Sequence, residues 1–263
     1  YNQSLPIQRA VGDRSGEAST LGNIGTVYSA LGEKQKAFEF YNQSLPIQRA
    51  VGDRSGEATA LNNIGLAYDS LGEKLKSLVF YNQALKIFRA VGNRAQEATT
   101  LSNIGTVYDD LGEKQKALAL YNQALPIRRA VGDRDGEAAT LTNIGVVYSA
   151  LGEKQKALDL YNQSLLLFRA VGNRSGEGRI LGNIGLVYDD LGKTQKALKF
   201  HNESLLISRA VGDREGEART LNNIGLIYDT FGENQKTLEF YNQSLAIFRA
   251  VGDRTGEAQS LAN

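Results

Sequence analysis

Apolar residues recur along the chain at helical intervals, in paired stretches. In the first stretch Leu21, Ile24, Gly25 and Tyr28 share one face of a wheel turned by about 100° per residue. Ser19, Gly22, Asn23, Thr26, Ser29 and Ala30 fall on the opposite side. In the next stretch the apolar positions are Ala37, Phe38, Tyr41, Leu45, Ile47 and Val51. The pattern predicts a helix A over about Arg14 to Leu31 and a helix B over about Lys34 to Val51. A short connection at Gly32 makes them one antiparallel hairpin. Gly12 and Gly32 stand where a left-handed residue closes a helix. Asp13 suits the N-cap of helix A, with Asn93 and Asn173 at equivalent places. Glu17 then sits in the first turn, where negative charge suits the helix dipole.

The hairpin pattern returns every 40 residues, from Leu61, Leu101, Leu141, Leu181 and Leu221, and breaks off after Leu261. A fixed period of this size marks a stacked-repeat architecture. The expected organisation is one solenoid over residues 1–263. A leading helix B covers 1–12. Complete repeats cover 13–52, 53–92, 93–132, 133–172, 173–212 and 213–252, and a partial helix A covers 253–263. Apolar Leu5 and Val11 stand near one end and Leu261 near the other, with no polar cap at either. The sequence is therefore expected to be an excerpt of a longer protein or to stack end to end with copies of itself.

Two features strain the helix assignment. A mid-helix glycine at Gly25 costs about 1 kcal/mol relative to alanine. The expected return is a close approach by helix B, with Ala37 facing it. Pro6, Pro46 and Pro126 share one helix-B position, held by Lys86, Leu166, Leu206 and Ala246 elsewhere. Either the helix tolerates a kink there or helix B starts afresh.

Composition narrows function mostly by exclusion. Formal net charge is +1, so no basic excess favours nucleic acid. Cysteine is absent, which removes disulfides, thiolate nucleophiles and cysteine metal sites, and a reducing, cytoplasmic setting is expected. No apolar run approaches the roughly 20 residues that span a bilayer, so no membrane partner is expected. The single histidine, His201, takes the place of a tyrosine at 41 and 161 and reads as a packing variant. With no nucleophile–base pair, no tetrahedral zinc set and no phosphate-cradling loop, the chain is not expected to be an enzyme or to need a cofactor.

The repeated unit resembles the tetratricopeptide repeat. Leu21, Ile24-Gly25 and Tyr28 match that family's helix-A pattern, and Gly32, Ala37, Tyr41 and Ser44 match the rest. The resemblance covers the whole chain. Leu21 stands where the family usually has an aromatic residue, and the period of 40 exceeds the family's usual 34. The longer unit, with Ala-Val-Gly-Asp-Arg-Ser-Gly-Glu joining one repeat to the next, is similar to arrays of kinesin light chain and of LGN/Pins. It is also similar to bacterial, chiefly cyanobacterial, arrays fused to CHAT peptidase or NTPase modules. The resemblance implies an all-α, right-handed superhelical solenoid whose A helices line a concave, peptide-binding surface.

On that surface the candidate site begins with a ladder of asparagines: Asn23, Asn63, Asn103, Asn143, Asn183 and Asn223. An amide both donates and accepts, so a row of them can hold an extended backbone. The alternative is that each amide steadies its neighbour along the stack. Arg179 and Arg219 stand four residues before Asn183 and Asn223, on the same helix face. Guanidinium groups bind carboxylates bidentately, and the pairs look like the carboxylate clamp of chaperone-binding tetratricopeptide domains. Ser19, Thr59, Thr99 and Ala139 hold that place elsewhere, so an acidic ligand is expected at the C-terminal half. The alternative is two solvated arginines. Leu186 and Leu226 would add apolar anchors. Asp69, Asp109, Asp110, Asp189, Asp190 and Asp229 either meet basic residues of a partner or only solubilise. Arg14 with Glu17, and their equivalents, read as an ion pair or cap between repeats. The function expected is a protein-interaction scaffold with a protein or peptide partner. The alternatives are a structural spacer that self-associates, and a sensor array for an enzyme domain outside this chain.

Overall fold

The computed structural model describes residues 3–263 and shows only helices and turns among them. The chain divides into two compact units, Tyr1–Asp133 and Arg134–Asn263. The first holds α1 (Ser4–Val11), α2 (Arg14–Ala30), α3 (Lys34–Val51), α4 (Arg54–Ser70), α5 (Lys74–Ala90), α6 (Arg94–Asp110) and α7 (Lys114–Ala130). The second holds α8 (Arg134–Ala150), α9 (Lys154–Val171), α10 (Arg174–Asp190), α11 (Thr194–Val211), α12 (Arg214–Thr230), α13 (Asn234–Val251) and α14 (Arg254–Ala262). Within each unit, even-numbered helices are the expected A helices: α2, α4, α6, α10 and α12 each pack on the helix B that follows and on the one before, α8 packs on α9, and α14 on α13. The expected leading helix is α1. Tyr1, its first expected residue, lies outside the described residues.

The turns form as their residues dictate. Gly12 takes φ 73° and closes α1, its N–H donating to Arg9 O while Asp13 N–H donates to Gln8 O. Among the described residues only glycine takes positive φ, because a Cβ in that conformation clashes with its own backbone. Asp13 Oδ1 then accepts from Gly16 N–H at 2.8 Å, which caps α2. Helix A stops at Ala30, one residue earlier than the pattern predicts, and Leu31 becomes its C-cap.

Pro46 and Pro126 each lie inside one continuous helix. Helix B therefore does not start afresh at the proline. The ring is exposed at both positions, so the lost backbone bond is left to water.

Close packing explains the helix-A glycine. A Cβ on Gly25 would lie 2.6 Å from Tyr41 Cε1, and on Gly65 2.7 Å from Tyr81 Cδ1. The group that lies against Gly25 is thus the Tyr41 ring, not Ala37. The gain is a buried tyrosine at nearly every hairpin: Tyr81 and Tyr121 are 1% exposed. Burying such a side chain is worth about 1.5–3 kcal/mol, which exceeds the helix cost of the glycine. Around it, Ala58, Leu61, Ile64, Ala84 and Phe88 form one core, reached by Tyr41 and Leu45 of the preceding helix. The core is shared between hairpins, so no repeat is complete alone.

A carboxylate marks the junction from helix B to the next helix A. Glu17 is buried yet bound by Arg9 of α1 at 2.8 Å and Arg14 of its own helix at 2.6 Å. Hydrogen bonds from Arg9 hold its pKa below the ordinary value. Glu57, Glu97, Glu177 and Glu217 are buried and held by two arginines in the same way. The expected ion pair between repeats is therefore present, with a second arginine added.

The aspartates near the helix-A C-termini have partners within the chain. Lys74 binds Asp69 of its own hairpin at 2.8 Å and Asp110 of the next at 2.5 Å. Lys114 binds Asp109, and Lys154 binds Asp190. These four aspartates join elements of the array, which revises both expected readings of them. Asp189 differs, because Thr194 stands where 34, 74, 114 and 154 carry lysine. Burial, then the Asp190 charge, pushes its pKa up.

Candidate functional site

In the second unit, the A helices α10 and α12 lie side by side with α11 beneath. Between them opens a cleft of about 450 Å³. Asn173, Arg179, Gly182, Asn183 and Leu186 line it from α10 and its cap. Asp213, Gly216, Arg219, Thr220 and Asn223 line it from α12 and its cap, and Ser204 and Ser208 of α11 form the floor. Five of the expected site residues therefore meet in one place: Arg179, Asn183, Leu186, Arg219 and Asn223.

The charges are poised for an anion. Arg179 is exposed and has no carboxylate partner. Arg219 Nη1 reaches Glu215 Oε2 at 3.4 Å, with both side chains more than half exposed. Such a pair is worth under about 1 kcal/mol, so a ligand carboxylate competes easily with Glu215. Asp213 is the acid in the lining, and its Oδ1 already accepts from Gly216 N–H at 2.8 Å. Asn173 is also occupied: Oδ1 caps Gly176 N–H at 2.8 Å and Nδ2 donates to Asp135 Oδ1 at 2.5 Å.

A second cleft in the first unit shows what makes this one large. It lies between α2 and α4 over α3, is lined by Ser19, Gly22, Asn23, Thr59 and Asn63, and measures about 220 Å³. Both clefts occur where position 22 of the unit is glycine, at Gly22 and Gly182. Where an asparagine stands there, it bonds the next helix A instead. Asn62 Oδ1 accepts from Thr100 Oγ1 at 3.1 Å and Asn103 Nδ2 at 3.4 Å. Asn222 Oδ1 accepts from Ser260 Oγ at 3.4 Å, whereas Thr142 Oγ1 lies 2.8 Å from Ser164 Oγ of its own hairpin.

The floor sets the depth. In the smaller cleft Gln48 fills it, only 2.5 Å from where a Gly56 Cβ would stand. At the equivalent place Phe168 covers Gly176 and Phe248 covers Gly256. Over Gly216 the three nearest atoms to a Cβ belong to the Asp213 cap, and the short Ser208 is not among them. The signal for this was present in the row Gln48, Phe88, Arg128, Phe168, Ser208, Phe248, where one short side chain interrupts long ones.

The rest of the ladder is spread along both units. Asn23 is exposed; Asn63, Asn103 and Asn143 are half-buried on the A helices. Asn103 does bond along the stack, but to Asn62 rather than to another member of the ladder. Leu226 is exposed on α12 outside the cleft lining. His201 is 1% exposed beneath Gly185, its Nδ1 has no partner, and burial lowers its pKa to about 4. It packs where tyrosine packs elsewhere. Among the described residues no cluster of histidine, cysteine or acidic side chains could hold a metal ion, and no helix is long and apolar enough to cross a membrane.

No curated protein matches the sequence significantly. Solved structures do match the fold. BtubC (BKLC) from P. vanneervenii superposes with a TM-score of 0.71 at 18% identity, over 83% of this chain and 92% of that one. A Rap protein complexed with competence and sporulation factor gives 0.73 at 16% identity, over 94% and 73%. The nearly identical repeats of a kinesin light chain from Podosopora anserina give 0.59 at 16%, over 74% and 96%. These likenesses concern the fold alone. The tetratricopeptide repeat family model matches residues 1–50, 56–130, 96–170 and 176–250. The matches span most of the sequence and agree with hairpins of paired helices, each with a glycine against an aromatic ring: the chain belongs to the tetratricopeptide repeat family.

Proposed function

We propose that the chain is a protein-interaction scaffold whose A-helix face binds an extended segment of a partner protein, with an acidic group held at the α10–α12 cleft. The observation that carries this is the meeting of Arg179 and Arg219 with Asn183 and Asn223 around one cleft. Two guanidinium groups give a carboxylate charge-assisted, directional bonds, and the two amides give the adjoining peptide backbone both donors and acceptors. A solved Rap protein with the same fold was crystallised with competence and sporulation factor, which supports a ligand on such a scaffold.

The test is a peptide-array screen of the full chain against Arg179→Ala/Arg219→Ala and Asn183→Ala/Asn223→Ala. Acidic peptides bound by the wild type should lose about tenfold or more in affinity in both variants. Absence of selective binding by the wild type, or binding indifferent to both variants, would overturn the reading.

A further inference from the structure

The floor of the α10–α12 cleft has a shape that the charged rim does not explain. In three other repeats the residue equivalent to Ser208 is phenylalanine, and Phe88, Phe168 and Phe248 are each buried to within 2% exposure. Their rings fill the space between a helix B and the first turn of the next helix A. Phe168 Cδ1 lies 2.6 Å from where a Gly176 Cβ would be, and Phe248 Cδ1 lies 2.4 Å from the place above Gly256. Gly216 has the same missing Cβ, but no ring lies against it: the three nearest atoms there are those of the Asp213 carboxylate, at 2.2, 2.7 and 3.1 Å. The repeat has lost the ring, and the cleft reaches down to Ser208 beside the Asp213 cap.

Two further observations show that the space is open to a ligand. Gly182 stands where Asn62 bridges α4 to α6 and Asn222 reaches Ser260 of α14, so the space connects to the cleft mouth. Ser208 itself is buried, at 5% exposure, and lines the cleft.

We infer that this space is a specificity pocket for a phenyl-sized side chain of the ligand, which takes the place that Phe88, Phe168 and Phe248 fill from within in their own repeats. The inference deepens the scaffold reading and rests on it for the peptide context. The ligand class follows from the charges at the mouth: a segment in which an aromatic residue stands next to a carboxylate, its own or a neighbour's. Arg179 and Arg219 hold the acid while the ring enters between Gly182 and Gly216. The pocket discriminates by fit, because a smaller side chain leaves it part-filled.

The test uses probes that need no peptide groove. N-acetyl-phenylalanine and N-acetyl-alanine, each with a free carboxylate, are titrated into the ¹⁵N-labelled chain while the backbone amides of Gly182 and Gly216 are followed by NMR. The phenyl probe should bind about tenfold or more tightly than the alanyl probe, the difference expected for burying one aromatic side chain. Ser208→Phe closes the pocket from below. It should fold, because Phe88 and Thr100 hold the places of Ser208 and Thr220 in an earlier repeat and both are buried there. Its circular dichroism and melting confirm that. In this variant the phenyl preference should vanish. Equal binding of both probes, no shift at Gly182 and Gly216, or an undiminished preference in Ser208→Phe would overturn the inference. Acidic peptides that depend on Arg179 and Arg219 yet ignore Ser208→Phe would remove the pocket and leave the scaffold. Phenyl-probe binding without any peptide binding would do the reverse.

Discussion

His201 gives the sharpest quantitative prediction. Its imidazole is buried beneath Gly185 with Nδ1 unpartnered, and burial lowers its pKa from 6.5 to about 4. A depressed histidine pKa means the folded chain refuses a proton that the unfolded chain accepts. Stability is therefore fully present above pH 6.5, falls as pH drops from 6.5 toward 4, and then levels. At ~1.4 kcal/mol per pH unit, a fall from 6.5 to about 4 is worth about 3 kcal/mol. Carboxylates titrate in part of the same window, so the wild type is compared with His201→Tyr. Tyrosine occupies this place above Gly65, Gly105, Gly145 and Gly225, so the variant keeps the packing and removes the titrating group. Urea unfolding of both chains at intervals from pH 7.5 to pH 4 measures the difference. The tyrosine variant should gain on the wild type by about 3 kcal/mol across that range, with most of the gain between pH 6.5 and 4.5. Parallel stability curves would refute the reasoning, because they would mean that the imidazole protonates in place at no cost.

Two shorter predictions follow from packing. Gly65→Ala should destabilise by about 1–3 kcal/mol in thermal melting despite alanine's better helix propensity, because its Cβ would lie 2.7 Å from Tyr81 Cδ1. A stabilised variant would show that the ring can move aside. Asn62→Ala should cost about 1 kcal/mol in urea unfolding, since Thr100 and Asn103 lose their shared acceptor. An unchanged midpoint would show that water replaces the amide fully.

The hairpins were legible because period, capping residues and apolar spacing point the same way. Asp13, Gly12 and Gly32 could be placed from the sequence because each does its work locally. The partner of Gly25 was not legible, because helix spacing says which face is small but not which residue of the facing helix arrives. The lysine–aspartate pairs were missed for a related reason: Lys74 and Asp110 are 36 residues apart and meet only through the stacking of one hairpin on the next. Arg179 and Asn183 could be paired because they share a helix. That they share a cleft with Arg219, Asn223 and Leu186 depends on two absences, at Gly182 and Ser208, and missing volume leaves no mark on a pattern of apolar and polar residues.

The position held by Ser208 has a consequence for how such a chain acquires new recognition. It separates the surface cleft from the interior, yet the glycine and tyrosine that fix the hairpin lie elsewhere. Phenylalanine and serine codons differ by a single base, so one point mutation suffices to open or shut a cleft while the hairpin stays intact. An array grown by copying one unit thus begins with every door closed in the same way. It can then differentiate one door at a time, with each copy free to try a change that its neighbours do not share.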